Sequence, residues 1–269
     1  MTNNRLQKRN CTVILPFYAR QIMRIFGLIG YPLGHSFSQK YFTEKFTREG
    51  IADARYELFP ISDIAQLPDI LRTHPDLCGL NVTIPYKESV LPFLHELDDT
   101  ARAVGAVNCI RMRDGRLTGY NTDVYGFEQS LRNSMDEPQQ QYKALILGTG
   151  GASKAVAYVL GKMGIDYQFV SRQADAGKGW LDYDDLRRIA WSEYALVINT
   201  TPLGTYPNTE GCPDLPFEKL SAQHLVFDLV YNPPQTVLLR NALEQHARVQ
   251  NGLDMLHLQA EKAWEVWQQ

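Results

Sequence analysis

Two rhythms of apolar residues alternate along this chain. Short runs rich in β-branched and aromatic residues, RIFGLIG at 24–30, ARYELFP at 54–60 and CGLNVTIP at 78–85, have the length and composition of strands. Between them lie QKYFTEKFTREG at 39–50 and the leucine-spaced stretch from Ile64 to Leu71, whose apolar residues recur at the spacing of one helix face. Strand and helix in alternation predict βαβ units and a mainly parallel sheet. The run VNCIRMRDGRLTGYN at 107–121 departs from this rhythm. Its Asp114–Gly115 pair suits the positive φ angles of a type I′ turn, so the sheet is expected to gain an antiparallel hairpin at one edge.

VYGFEQSLRNS at 124–134 has helical spacing, and the polar, proline-bearing MDEPQQQY at 135–142 predicts a connection. A second βαβ series follows at once: KALILG as a strand, GASKAVAYVLGKMG as a helix, then DYQFVSR, ALVINTTP and HLVFDLVYN as strands. The closing segment, DMLHLQAEKAWEVWQQ at 254–269, is helical in its spacing. The chain is therefore expected to be an α/β protein of two domains.

Composition narrows the partners. The 269 residues are 44% hydrophobic and 21% charged, enough for one large core or two ordinary ones. A net charge of -3, a pI of 6.1 and the lack of like-charge runs give no footprint for nucleic acid or for an anionic membrane, which leaves a small molecule as the expected partner. Cys11, Cys78, Cys109 and Cys212 form no C-x-x-C pair, so neither a metal site nor a disulfide framework is signalled, and a reduced, cytoplasmic setting fits. No stretch approaches a membrane span in length. Lys8 and Arg9 precede the apolar CTVILPFYA, an imitation of a signal peptide that Pro16 interrupts, and residues 1–22 are expected to be a disordered extension.

Candidate chemistry gathers at strand ends. ILGTGGAS puts Gly148 and Gly150 between a strand and a helix, where the first permits a tight turn and the second lets backbone amides approach a pyrophosphate. The next strand ends in Ser171 and Arg172; an arginine there suits the 2′-phosphate of NADP, a solvated surface charge being the plainer alternative. In the first half, polar residues interrupt apolar runs: Ser36 and Ser38, Asn81, Thr83 and Lys87, Asn108, and Asn121 with Asp123. Strand C-termini of a parallel sheet share one edge, where ligands bind, so these groups can converge there. Each also has a bland explanation, such as a helix cap for either serine or a surface ion pair for Lys87 and Asp123.

From residue 24 to the end, the words GYPLGHSFS, NVTIPYK, GAVN, GYNTD, LGTGGAS, SR, INTTPLG, DLVYNP and NGLDMLHLQA together resemble the shikimate dehydrogenase family, including its quinate/shikimate members. The resemblance implies an N-terminal substrate-binding domain over 23–123, a Rossmann-type NADP-binding domain over 124–249, and a C-terminal helix in 250–269 that returns to the first. It implies reversible, NADPH-dependent reduction of 3-dehydroshikimate to shikimate, a step of aromatic amino-acid biosynthesis, by a monomer or homodimer. Lys87 and Asp123 would be the catalytic pair. Ser36, Ser38 and Tyr231 would hold the substrate carboxylate, and Asn81, Thr83, Asn108 and Gln259 its ring hydroxyls. Gly148, Thr149, Gly150, Gly151 and Ala152 would cradle the pyrophosphate, Ser171 and Arg172 the 2′-phosphate, while Thr200, Pro202, Leu203 and Gly252 would lie by the nicotinamide. The chain departs from the family pattern at Gln39, where proline is common, at Phe42–Thr43 in place of a His-Asn pair, at Asp175 where a further basic residue is common, and at Thr205 in place of methionine. An NAD-preferring relative and a non-catalytic dinucleotide-binding regulatory module are the alternatives.

Overall fold

The computed structural model describes residues 23–34, 36–135, 143–173 and 175–269. The expectation for residues 1–22, and that for the connector beyond Met135, lie outside them. The first half runs β1 (Arg24–Gly30), α1 (Phe37–Arg48), β2 (Ala54–Pro60), α2 (Leu67–Thr73), β3 (Leu77–Val82), β4 (Glu96–Leu97), α3 (Asp99–Val104), β5 (Cys109–Arg113), β6 (Arg116–Tyr120) and α4 (Thr122–Ser134). The second runs β7 (Lys143–Leu147), α5 (Gly151–Lys162), β8 (Asp166–Val170), β9 (Leu196–Asn199), β10 (Leu225–Asp228), α6 (Val237–Glu244), β11 (Arg248–Asn251) and α7 (Leu253–Gln268).

The first sheet has the order β2-β1-β3-β5-β6-β4, and β5 alone runs against the others. Asp114 and Gly115 take the positive φ values, 51° and 73°, that their turn chemistry predicts. The hairpin is not the edge, however: two-residue β4 pairs with β6 beyond it. That strand, and α3 between an Asp98 cap and left-handed Gly105, are too short to show a periodicity in sequence. The second sheet, β8-β7-β9-β10-β11, is wholly parallel. In both sheets the first strand of the series lies between the second and the third, so each has a switch point where successive connections leave in opposite directions and open a crevice at the strand C-termini.

Each sheet packs against its own apolar residues. Ile25, Leu80, Val107 and Ile110 lie in the first core, and Ala144, Ile146, Val156 and Ile198 in the second. α7 leaves the second sheet and returns to the first. Its Trp267 donates from Nε1 to the Ile110 carbonyl at 3.0 Å and covers Gly79, where a Cβ would overlap the indole. Gly126 performs a similar service on α4: a Cβ there would come within 2.5 Å of the Met255 carbonyl, so only glycine lets α4 and α7 approach this closely. Among the described residues no helix is long and apolar enough to cross a membrane.

Candidate active site

At the second switch point β7 ends in Leu147, and the chain turns through Gly148 at φ 101°. A side chain is strained at that angle, and a Cβ would stand 2.9 Å from Thr200 Oγ1. α5 then starts from Gly150, which supplies no side-chain cap. Of the first amides of α5, that of Ser153 bonds back to the Gly150 carbonyl at 3.0 Å, while those of Gly151 and Ala152 stand at the positive end of the helix beside the groove. A Cβ on Gly150 would meet nothing within 4 Å, which leaves open space in front of these donors. The arrangement fits the pyrophosphate of a dinucleotide.

The facing loop is tied down from below. Thr200 donates to the Leu147 carbonyl through both N–H and Oγ1, at 2.9 and 2.7 Å. Asn199 Oδ1 accepts from Thr201 N and Oγ1 at 3.0 and 2.7 Å, while its Nδ2 donates to Asp228 Oδ1 at 2.9 Å. Wholly buried Asp228 also accepts from Thr236 Oγ1 at 2.6 Å and Val230 N at 3.0 Å. Burial raises the Asp228 carboxyl pKa, and these donors oppose the rise.

Along the same groove Ser171 N–H donates to the Leu181 carbonyl at 2.9 Å, which brings the segment after Leu181 beside Arg172. Burial raises the Tyr183 phenol pKa, and the positive charge of Arg172 works against it. Asp182, Asp184 and Asp214 line the groove here, with Arg187 bound to Asp214 at 3.0 Å. Cys212 lines it too, its thiol pushed up to about 11 by burial.

The first sheet supplies the opposite wall. After β3, Thr83 N–H donates to the Ile29 carbonyl at 3.0 Å and Val107 N–H to the Lys87 carbonyl at 2.8 Å, which fixes the TIPYK turn between the ends of β1 and the GAVN loop. Lys87 Nζ lies 2.6 Å from Asp123 Oδ2, with the two side chains 20% and 11% exposed. Asp123 sits in the first turn of α4, where the helix end favours a carboxylate, and Asn121 caps that helix by accepting from Val124 N at 3.3 Å. A Cβ on Gly151 would be 3.9 Å from Lys87 Cβ, so the lysine stands directly across from the glycine turn.

Behind Lys87 the amide side chains form one buried set. Asn108 Oδ1 accepts from Thr122 N at 2.6 Å, its Nδ2 donates to Thr122 Oγ1 at 3.0 Å, and Gln259 Oε1 lies 3.5 Å from both Asn108 Nδ2 and Thr122 Oγ1. Asn81 Nδ2 donates to the Asn108 carbonyl at 3.3 Å, and its Oδ1 accepts from Tyr56 at 2.7 Å. Ser36 caps α1, accepting from Gln39 N at 3.3 Å; its hydroxyl proton is not used in that bond. Tyr231, from the loop after β10, brings its ring to within 5.8 Å of Phe37, between the two serines, and burial raises its phenol pKa.

Of the residues singled out in sequence, Thr83, Lys87, Gly148, Thr149, Gly150, Gly151, Ala152, Ser171, Arg172, Thr200, Pro202 and Leu203 line a single groove of about 970 Å³ between the sheets. Asp123 joins it through Lys87, and Asn81, Asn108 and Gln259 are linked to one another by hydrogen bonds. Gly252 does not line the groove. It packs against the loop after β10, where a Cβ would come within 2.1 Å of the Leu229 carbonyl, and its N–H donates to Val230 at 3.2 Å. Three participants escaped sequence reading. Glu88 lines the groove and pairs across it with Lys154 of α5 at 2.6 Å, a partner no local pattern connects to it. Thr122 was inside GYNTD but carried no separate signal. Tyr56 looked like any strand aromatic. Phe42, at one of the departures from the family pattern, is wholly buried and stacks on Tyr56 at 4.7 Å, a packing role.

A family model described as the shikimate dehydrogenase substrate binding domain matches residues 28–110. The chain is 37% identical over 256 residues to the shikimate dehydrogenase (NADP(+)) of Geobacillus kaustophilus, covering 91% of this chain and 92% of that protein. The crystal structure of shikimate 5-dehydrogenase from Thermus thermophilus in complex with NADP(H) and shikimate superposes with a TM-score of 0.78 at 31% identity, covering 91% of this chain and 93% of that one. That of the enzyme from Listeria monocytogenes in complex with shikimate and NAD gives 0.81 at 29% identity, with coverage of 91% and 92%.

Proposed function

The chain belongs to the shikimate dehydrogenase family, and from that premise we propose how its residues carry out the reaction: NADP-dependent, reversible reduction of 3-dehydroshikimate to shikimate. The observation that supports the assignment of roles best is the Lys87–Asp123 pair, 2.6 Å apart, standing across a shared groove from an uncapped, glycine-built helix start. NADPH supplies hydride when bound. Gly148, Thr149, Gly150, Gly151 and Ala152 would hold its pyrophosphate at the start of α5, Ser171 and Arg172 would hold the 2′-phosphate, and Thr200, Pro202 and Leu203 would lie by the nicotinamide.

Ser36 and Ser38 from the start of α1, with Tyr231 from the other sheet, bind the substrate carboxylate. Asn81, Thr83, Asn108 and Gln259 take the ring hydroxyls. Lys87 Nζ delivers a proton to the carbonyl oxygen as negative charge grows on it, and Asp123 holds the ammonium in place. In the reverse direction the same nitrogen removes the proton from the hydroxyl of shikimate. Gly252 supports the site from behind by fixing the start of α7. Residues 23–123, with 250–269 packing back on them, form the substrate domain, and residues 124–249 form the cofactor domain.

The acidic residues around Arg172 favour a second reading of the coenzyme. Arg187 partners Asp184 and Asp214, which leaves Asp182 beside exposed Arg172 in the groove, a setting that weighs against the two negative charges of a 2′-phosphate and tolerates the bare hydroxyl of NAD. Initial rates with shikimate and quinate, each paired with NADP and with NAD, test both readings. Shikimate with NADP is expected to give the highest kcat/KM. Turnover with neither substrate would remove the proposed reaction, and higher efficiency with NAD would reverse the coenzyme order.

A further inference from the structure

Glu88 and Lys154 form an ion pair that the reaction as described leaves without a task. The carboxylate follows Lys87 in the first half of the chain, the ammonium stands on α5 of the second, and the two meet across the groove at 2.6 Å. Lys154 is the fourth residue of α5, at the end of its first turn, and helical side chains lean toward the helix start. Glu88 marks where the pair lies: a Cβ on Gly151 would be 3.9 Å from Glu88 Oε1. Helix stability does not account for the lysine, since a cation near this end opposes the helix dipole and α5 has no acidic residue of its own in the first turn. The negative charge at this helix start comes instead from Glu88, on the opposite wall.

That place is also the one assigned to the coenzyme's pyrophosphate. Two anions close together in one cleft repel, and they compete for the same ammonium. With the Lys154 and Glu88 side chains 40% and 49% exposed, the bridge is of the open kind that is weakly held in water and readily exchanged. A pyrophosphate carries more charge than a carboxylate and presents more acceptor oxygens, so the exchange runs in its favour. Resting on the assignment of the pyrophosphate to the start of α5 given above, we propose that Lys154 is a further coenzyme-binding residue, which exchanges the Glu88 carboxylate for the pyrophosphate when the dinucleotide enters. Glu88 is then a competitor built into the opposite wall. It holds Lys154 in the free enzyme and lowers coenzyme affinity, with faster release of the dinucleotide as the consequence.

The test is a double-mutant cycle on the full chain, reading dissociation constants for NADP and NAD by calorimetry without shikimate. Lys154→Gln is expected to weaken both coenzymes about fivefold to tenfold, and equally within about twofold, because the pyrophosphate is common to them. Glu88→Gln is expected to tighten both about threefold, the scale of one exposed ion pair. In the Lys154→Gln background the same change at Glu88 should gain no more than about 1.5-fold, since its partner is gone. Lys154→Gln binding within about 1.5-fold of the parent overturns the proposal, and so does a penalty confined to NADP, which would put the ammonium at the 2′-phosphate. A Glu88→Gln gain that survives in full without Lys154 also overturns it, because the general field of the carboxylate is then enough. Weaker binding in Glu88→Gln would make the bridge a tie that organises the groove, and overturns it too. A parent chain that binds neither coenzyme fails the coenzyme assignment itself, which separates that outcome from failure of the exchange alone.

Discussion

Replacing Lys87 by alanine removes the proton donor and leaves the rest of the groove standing. The Lys87 ammonium is the only side chain hydrogen-bonded to Asp123 among the described residues, at 2.6 Å, and both are largely enclosed. Truncation therefore leaves a carboxylate where a cation should meet the growing negative charge, so the change removes the acid and reverses the local charge. A positioned acid contributes roughly 10²–10⁴-fold, and the charge reversal places the expected loss of kcat near the middle of that range, about a thousandfold, or about 4 kcal/mol at 1.36 kcal/mol per decade. Shikimate KM should stay within about tenfold, because Ser36, Asn81 and Asn108 do not depend on Lys87 for their hydrogen bonds. The unpaired Asp123 should cost about 1–3 kcal/mol of stability, less at the favourable end of α4, so a thermal melt confirms the fold. The assay is the initial rate of shikimate-dependent NADP reduction, followed by absorbance of the reduced nicotinamide, for the parent, Lys87→Ala and Asp123→Asn. The last keeps the ammonium and should lose about tenfold to a hundredfold. Retention of kcat within about threefold in Lys87→Ala, with only KM raised, would falsify the proton-donor role.

Three further changes probe other parts of the site. Arg172→Ala should raise KM for NADP about tenfold while leaving NAD kinetics within about twofold; an equal loss with both coenzymes would mean that the guanidinium does not meet the 2′-phosphate. Gly126→Val places a side chain within 2.5 Å of the Met255 carbonyl, so it should cost about 1–3 kcal/mol in urea unfolding and raise shikimate KM as Gln259 moves with α7; a rise in coenzyme KM alone would contradict that path. Glu128 joins α4 to α5 through Lys162 at 2.7 Å and pairs within α4 with Arg132 at 2.9 Å; burial raises its pKa, but the two cations outweigh burial and hold it below the ordinary carboxylate range. A depressed carboxylate contributes stability that is present above the unfolded pKa and is lost as pH falls through the folded one. With both cations more than half exposed, Glu128→Gln should cost about 1 kcal/mol at neutral pH, and that difference should shrink as pH falls below the ordinary glutamate range and through the depressed folded pKa. A difference that persisted in acid would point to packing instead.

The amino-acid sequence by itself determined most of the local structure, because strand and helix periods, caps and turns depend on neighbours a few residues away. RIFGLIG, ARYELFP and KALILG became β1, β2 and β7, and Asp114–Gly115 made the expected turn. The glycine turn was legible for the same reason, since Gly148 and Gly150 act through their own backbone. Short elements such as β4 and α3 were not, as they are too brief to express a period and are held by pairing with Thr118 and Gly119 of β6 or by an Asp98 cap. Lys87 and Asp123 were legible as candidates, but their 2.6 Å approach depends on the Val107–Lys87 backbone bond and on where α4 begins. Tertiary structure alone decided the sense of each buried amide: Tyr56 donating to Asn81 fixes which end of that side chain is spent, and Thr122 does the same for Asn108. It also decided that Gly252 supports α7 and does not line the groove, and that Glu88 meets Lys154. Those outcomes follow from which distant surfaces are pressed together, and a one-dimensional pattern carries the residue types without the contacts that give each donor its acceptor.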